Sequence, residues 1–367
     1  MATMNKVYRK RTSTYQIVQI VLGVLFGGYV AWRLYEVLIA NPVYGPDTWL
    51  RFAIAGLILG SVYALVAIGY TLVYGILHMI NFAHGDIMML GGFGGYFVFE
   101  ALKNIPVSTA SDPSLNFLNA HPVISVILAF AVGIFVAAVG GFFLERIAYR
   151  PLRNAPRLVP LISAIGASIF LENAAMLLFG AQRRDFTNPV ALTRGNGWEF
   201  TVGGGKVILT YTGALTFVLS IVILVLLYLI VQRTRMGLSM RAVAENKKVA
   251  ALMGIDVDSV ISRTFILSGA LAGAAGVMWG IHLGLVYYFL GFIPGIKAFT
   301  AAVLGGIGNL PGAMLGGLFL GVVESLGPAV LGIDFQLKDV LAFGILILVL
   351  IFRPTGILGE VLTEEKV

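Results

Sequence analysis

Apolar residues follow one another in long, nearly unbroken runs along this chain, with little of the alternation typical of half-buried strands. A helix needs about 20 apolar residues to cross the roughly 30 Å hydrocarbon core of a bilayer. Such runs lie at 17–40, 51–76, 79–101, 122–144, 158–180, 209–231 and 264–290. Glycine and proline then divide the apolar pattern into a short piece at 297–309 and helices at 311–329 and 337–353. The pattern predicts an all-α polytopic membrane protein with about 8–10 transmembrane helices, some of them short or broken.

Composition agrees with a membrane setting. Of the 367 residues, 58% are hydrophobic and 12% are charged, whereas soluble domains carry about 25% charged residues. The loops stay below about 30 residues, and a separate domain needs about 50 or more. We therefore predict one membrane domain with an N-terminal basic segment and extra helix at 1–49, a core at 50–360 containing a polar loop at 232–263, and a tail at 361–367. The chain has no cysteine, which excludes disulfides, thiolate metal sites and thiol catalysis.

Basic residues mark one side of the predicted helices. They are concentrated before residue 12 and in the loops 145–157 and 232–263, which fall on one side under the predicted spans; the loop 181–208 is the exception. Because lysine and arginine accumulate in cytoplasmic loops, we expect both termini in the cytoplasm and the chain in the plasma or inner membrane. The 17–40 run contains Arg33 and Glu36, so we interpret it as a retained helix and not a signal peptide. The net charge of +7 is then a topology signal, and no nucleic-acid partner is expected.

No phosphate-binding loop of the form Gly-x-x-x-x-Gly-Lys-Ser/Thr occurs in the sequence. The nearest approach, Gly203–Lys206, lies in a segment that predicts a turn in an external hairpin. If the chain moves a solute uphill, its energy must come from a partner or from an ion gradient. The sequence also has no His-Glu-x-x-His motif and no paired-aspartate motif, so we predict no catalytic residue and no metal site.

Glycine is concentrated in two apolar segments, 85–95 and 305–317. Non-helical backbone inside a membrane is tolerated where protein or a water-filled cavity satisfies it, and paired interruptions point to a translocation route. The alternative is that these glycines only let helices pack closely. The candidate pathway residues are Asn81, Gly85, Thr300 and Gly305.

The acidic residues Asp86, Glu172 and Glu324 fall inside predicted spans. A charge at the membrane centre costs about 2.5–3.5 kcal/mol on insertion scales, so each should have a partner or water. They are either part of a gate or anchors between helices. For His84 we favour a helix-end network over contact with a substrate.

The loop 232–263 carries the most informative polar sequence. Its composition predicts a helix over 239–256, with Gly254 in the left-handed conformation at a helix end and Asp256 or Asp258 as the cap of the next helix. Ala250, Ala251 and Gly254 predict a small-residue face that another protein can approach closely, with Arg241 and Glu245 at its rim. The alternative is an amphipathic helix at the membrane surface without a partner.

Several motifs resemble the branched-chain amino acid ABC permeases of the LivH type. In chain order they are Ser61–Gly75, Met79-Ile-Asn-Phe-Ala-His-Gly-Asp86, Glu145-Arg-Ile-Ala-Tyr-Arg-Pro-Leu-Arg153, Leu161-Ile-Ser-Ala-Ile-Gly166, Lys297–Gly308 and Arg353-Pro-Thr-Gly-Ile-Leu-Gly359. The loop is similar to the Glu-Ala-Ala-x-x-x-Gly coupling element of such permeases, with the glutamate separated from the alanines. The extra N-terminal helix and the outer loop 103–121 depart from the family pattern.

The resemblance implies a type II-like ABC importer permease that pairs with a second homologous permease. Two ATPase subunits would dock on the loop and bind ATP and Mg²⁺, leaving this chain without a cofactor, and an extracytoplasmic binding protein would deliver the substrate. The implied ATPase-coupling residues are Arg241, Glu245, Ala250, Ala251 and Gly254. The implied substrate is leucine, isoleucine, valine or a related neutral amino acid, with urea or short amides as the alternative. A gradient-driven secondary transporter remains a rival, with Asp86, Glu172 and Glu324 as candidates for an ion relay.

Overall fold

The computed structural model describes residues 14–40, 42–107, 115–153, 155–156, 158–193, 195–353 and 355–359. The basic residues before position 12, Arg157, part of the outer loop and the predicted tail 361–367 lie outside the described residues. The described helices are α1 (Thr14–Tyr35), α2 (Pro46–Leu77), α3 (His84–Lys103), α4 (Phe117–Ala120), α5 (Pro122–Leu144), α6 (Leu158–Phe179), α7 (Tyr211–Arg233), α8 (Arg235–Glu245), α9 (Lys247–Leu252), α10 (Val257–Leu283), α11 (Phe292–Gly305), α12 (Leu310–Leu331) and α13 (Lys338–Phe352).

Short π-helical segments follow α1 (Glu36–Ala40) and α5 (Glu145–Tyr149), and 3₁₀ turns lie at Arg150–Leu152, Val190–Leu192 and Phe335–Leu337. Strands β1 (Arg184–Asp185), β2 (Gly197–Val202), β3 (Gly205–Thr210) and β4 (Leu285–Val286) form two small antiparallel pairs, β1 with β4 and β2 with β3. The β2–β3 pair is the hairpin predicted around Gly203–Lys206. Among the described residues, eight helical segments are long and apolar enough to cross a membrane, which agrees with the predicted fold class.

Four predicted spans begin five or more residues away from the helices observed, and one of them is the 51–76 span, whose helix α2 begins at Pro46. The 79–101 span begins later, at His84, because His78 takes the left-handed conformation (φ 57°) and ends α2. The 264–290 span is α10, which begins earlier because the Asp256 side chain accepts a hydrogen bond from the Ser259 N–H at 3.1 Å. The short piece predicted at 297–309 is α11, which ends at Gly305.

The chain breaks just before the glycine-rich stretch 85–95 and not within it. The chain is non-helical at 78–83, before those glycines, and α3 then continues through them to Lys103. Gly91 of α3 packs directly against the backbone of Gly273 in α10. The glycines inside α3 therefore serve close helix packing, the alternative considered from the sequence.

The long helices α2 and α12 form the most extensive helix pair of the described residues and cross antiparallel at small residues. A Cβ on Gly317 would fall on the backbone of Ala64, and one on Gly321 would fall on Gly60. The two backbones approach so closely that no side chain fits between them. Helix α10 packs against α2 of this pair and also against α3 and α5, while α1 and α13 leave most of their surface uncovered.

The two predicted basic loops lie together at one end of the bundle. Arg150 and Arg153 of the first loop both pair with Asp258 at the start of α10, the former at 2.7 Å. Glu145 is fully buried there, paired with Arg153 and accepting a hydrogen bond from Ser262 Oγ at 2.7 Å. We call this end of the bundle, defined by the Arg153–Asp258 pair, the loop end.

Candidate functional site

The loop 232–263 folds as two short helices and not as the single helix predicted over 239–256. Asn246 separates α8 from α9, and its side-chain oxygen accepts hydrogen bonds from the Lys248 and Val249 N–H groups at 3.0 and 3.1 Å. An asparagine that caps a helix start has extended backbone and interrupts the preceding helix. Gly254 has φ 82° and ends the segment, as predicted, and Asp256 is the residue that caps α10.

The five candidate coupling residues do not share one surface. Arg241 and Glu245 are exposed on α8, and Ala251 and Gly254 are exposed at the end of α9. Ala250 is buried, with 3% of its surface exposed. Ala250 therefore does not share an exposed face with Ala251 and Gly254, and the predicted small-residue face is wrong. Neighbouring positions on a short helix point in different directions.

The exposed end of α9 carries two large apolar side chains that the sequence reasoning missed. Leu252 is 86% exposed and Met253 is 78% exposed. We call the exposed residues Val249, Ala251, Leu252, Met253 and Gly254 the α9 tip. The sequence did carry a signal for this exposed surface: two large apolar residues stand directly before a glycine that ends a helix in an otherwise polar loop.

Contacts at the base of the α9 tip attach it to the bundle. One guanidinium nitrogen of Arg241 donates to the backbone oxygen of Val231 and to Gln232 Oε1, holding α8 against the end of α7. Lys247, at the start of α9, lies near Arg153, whose charge has the same sign. Partial burial lowers the pKa of the Lys247 ammonium, and the positive charge of Arg153 lowers it further.

A cavity of about 730 Å³ lies beside α8 at the loop end. The ends of α2 and α7, helix α8 and the break after α11 surround it, and its lining includes Tyr74, Arg241, Glu245, Ile307 and Asn309. We call it the inner cavity. It brings two of the candidate coupling residues next to the second glycine-rich segment.

The four candidate pathway residues are all buried and none lines the inner cavity. Asn81 accepts a hydrogen bond from Tyr149 Oη at 3.1 Å, and Thr300 Oγ1 donates to the Ile296 backbone oxygen at 3.0 Å. Gly85 and Gly305 pack against the backbone of Gly291 and Gly312. The break before α3 nevertheless lies against the middle of α11, since the rings of Phe82 and Phe299 are 5.7 Å apart.

The C-terminal motif closes the break that follows α11. The N–H groups of Ile357 and Leu358 donate to the backbone oxygens of Leu304 and Gly305 at 2.8 and 3.0 Å. The Asn309 amide donates to the Leu358 oxygen at 2.8 Å. These bonds satisfy the last carbonyls of a helix that ends inside the bundle.

We expect Ile357→Pro to lower the thermal stability of the protein in detergent. Proline removes the N–H that bonds to Leu304, whose oxygen would be buried without a partner at a cost of about 1–3 kcal/mol. Ile357→Leu is the matched control, because this side chain is 44% exposed and the N–H remains. Equal melting temperatures for the two variants would show that the bond contributes nothing.

Two of these intramembrane acids lie side by side and the third is paired with a lysine, and none of the three lines the inner cavity. Asp86 lies next to Ser168 and Glu172 of α6, so the fold joins two acids that are far apart in sequence. Glu324 is paired with Lys297 at 2.7 Å. His84 fills the space beside Gly69, with Nδ1 3.4 Å from Ser268 Oγ, consistent with the helix-end network favoured from the sequence.

The family described as "Branched-chain amino acid transport system / permease component" matches residues 52–350. The chain belongs to this family. It is 46% identical over 320 residues to the high-affinity branched-chain amino acid transport system permease protein BraD of Pseudomonas aeruginosa, covering 86% of this chain and 98% of that one. It is 43% identical over 313 residues to LivH of Escherichia coli strain K12, covering 84% and 95%. A probable LivH of Methanocaldococcus jannaschii is 29% identical over 320 residues, covering 83% and 90%.

The match to the permease family begins at residue 52, so the extra helix α1 precedes it. No solved structure matches the chain. Membership of the permease family and the eight candidate membrane spans among the described residues identify a multi-pass membrane permease.

Proposed function

We propose that this chain is the permease subunit of an ATP-driven importer for branched-chain or other neutral amino acids. The observation that carries the proposal is the 46% identity to BraD over 98% of that permease. The α9 tip adds support, because it offers a partner an exposed apolar surface on the helix that follows α8, and α8 lines the inner cavity. The chain also lacks a phosphate-binding loop, so in this proposal another subunit binds the ATP.

In this proposal, two ATPase subunits bind at the loop end and hold ATP and Mg²⁺, while this chain carries no cofactor. Their closure pushes on the α9 tip. Arg241 attaches α8 to α7, and Asp258 attaches the start of α10 to the loop that follows α5. Movement at the tip would therefore reach three membrane helices and change access to the inner cavity.

The proposed topology places the loop end in the cytoplasm of the cell, at the plasma or inner membrane. Its support is the accumulation of arginine and lysine in the loops at this end. The segment Gly356–Gly359 packs against the inner end of α11, which favours a cytoplasmic C-terminus. A second homologous permease would complete the transport route, and a binding protein would deliver substrate at the opposite end.

Leu252→Asp is expected to lower uptake by about tenfold or more with little loss of protein in the membrane. Leu252 is exposed in this chain. In the proposed complex its side chain is buried against an ATPase subunit, where a large apolar anchor contributes about 2 kcal/mol or more to the binding free energy. The measurement is substrate uptake by reconstituted complex. Leu252→Met keeps an apolar side chain and is expected to behave like the natural protein. Normal uptake by Leu252→Asp would remove this residue from the contact.

Gentle detergent purification, with subunit identification and stoichiometry, tests the proposal as a whole. We expect a second permease and two ATPase subunits to co-purify with this chain. A homo-oligomer that transports without any ATPase would instead support gradient-driven transport through Asp86, Glu172 or Glu324. Competition of radiolabelled leucine uptake by isoleucine, valine, urea and short amides then decides the substrate class.

A further inference from the structure

A buried ion pair joins α11 to α12 inside the membrane bundle. Lys297 Nζ lies 2.7 Å from Glu324 Oε1, and the two side chains are only 4% and 2% exposed. Within α11, Lys297 is the one charged residue. Charges placed in this setting are costly unless they are paired and hydrogen-bonded.

Further groups extend the pair to the protein surface. Lys297 also lies 2.6 Å from Asp339 Oδ1, Lys338 lies 3.4 Å from Glu324, and Tyr63 Oη donates to Glu324 Oε2 at 2.9 Å. Lys338 and Asp339 are partly exposed at the start of α13. We call these five residues the Lys297 cluster. It connects α2, α11, α12 and α13 at positions away from the loop end.

Stability alone does not explain such a cluster. Replacing a buried ion pair by well-packed apolar residues is often neutral or stabilising, so a pair of charges is weak evidence for added stability. Ion pairs do restrict the relative position of the elements that carry them, because each charge is costly once it leaves its partner.

The position of helix α11 affects the wall of the inner cavity. Its 14 residues span about 21 Å, less than the roughly 30 Å of a bilayer core. The inner end of the helix lines the inner cavity through Val303, and Ile307 follows directly after the helix. Lys297 lies about 9 Å along the helix from Val303, so a shift or tilt at the cluster moves the cavity wall.

We propose that Lys297, paired with Glu324 and Asp339, is a positioning residue that fixes α11 against α12 and α13 and thereby sets access to the inner cavity. The uptake measurement below rests on the proposed function. The labelling measurement requires only this chain.

The experiment compares Lys297→Met with the double variant Lys297→Met/Glu324→Gln. The single variant leaves the Glu324 carboxylate buried with weaker pairing, whereas the double variant removes both buried charges and leaves an acceptor for Tyr63. Lys103→Met is the matched control, since Lys103 forms an exposed pair with Glu100 at 3.7 Å. Each variant is measured for abundance in the membrane, for uptake per ATP hydrolysed, and for accessibility of the inner cavity.

Accessibility is measured on an Ile307→Cys background. The natural chain has no cysteine, so a membrane-impermeant maleimide added from the loop end reacts at this position alone. We expect Lys297→Met to change the labelling rate by about threefold or more and to lower uptake per ATP by about tenfold. We expect Lys103→Met to change neither.

The double variant separates positioning from folding. If the cluster positions α11, the double variant recovers membrane abundance but keeps the altered labelling rate and the low uptake per ATP. Recovery of all three quantities would overturn the proposal, as would unchanged labelling in both variants. An altered labelling rate in Lys297→Met, together with uptake that needs no ATPase subunit, would support the proposal while contradicting the proposed function.

Discussion

Replacing Gly317 with leucine is expected to remove most of the folded protein from the membrane. The Cβ of any side chain at this position would fall on the backbone N and Cα of Ala64, where α12 crosses α2. Backbone atoms in the middle of two long helices cannot move aside as a flexible side chain does. We therefore expect a cost at or above the upper end of the roughly 1–3 kcal/mol that overpacking usually carries.

Membrane abundance and the melting temperature of the purified chain measure this effect. Gly344→Leu is the matched control, because Gly344 lies in the membrane helix α13 and a Cβ there meets no atom within 4 Å. Both variants add the same apolar, helix-favouring side chain. A difference in abundance or melting temperature between them therefore measures the cost of a side chain where α2 and α12 cross. Folding of Gly317→Leu at the natural level would mean that α2 and α12 do not approach as described.

The membrane helices were predictable because each needs a long apolar run, and that property is local in sequence. The β2–β3 hairpin and the left-handed Gly254 were predictable for the same reason: a turn or helix end is decided by a few consecutive residues. The family resemblance was carried by motifs spread from Ser61 to Gly359, and the match at residues 52–350 confirms it.

The role of the glycine-rich stretch 85–95 could not be decided from the sequence, because glycine permits two different structures. It allows a broken helix, and it equally allows a continuous helix to touch another backbone, as Gly91 does at Gly273. The sequence contains no information about which helix lies opposite. The contact between Asp86 and Glu172 could not be predicted from the sequence for a similar reason, since it depends on how α6 packs on α3.

The errors in the loop 232–263 were of a different kind, because the signals were present. Asn246 is a strong capping residue at the point where α8 ends, and reading it as a cap predicts two helices. With α9 starting at Lys247, Ala250 and Leu252 point in different directions, and only one of them is buried. The C-terminal motif gave no such signal, because its pairing with the end of α11 is formed by backbone groups.

Gly254→Val is expected to separate ATP hydrolysis from uptake in the assembled transporter. Gly254 has φ 82°, a conformation that costs about 1–2 kcal/mol for most L-residues and is least suited to β-branched ones. A Cβ there meets no atom within 4 Å, so the substitution strains the turn without disturbing the bundle. The turn joins the α9 tip to the Asp256 cap of α10, and we expect uptake per ATP to fall by about tenfold at normal membrane abundance.

Gly254→Asn is the matched control, because asparagine adopts the left-handed conformation more readily than other residues with a side chain. If Gly254→Val fails and Gly254→Asn works, the backbone conformation of the turn is what transmits the movement. If both fail, an ATPase subunit approaches Gly254 too closely for any side chain. Normal coupling in both variants would show that the end of α9 is not a coupling contact, and Leu252→Asp should then have no effect on uptake.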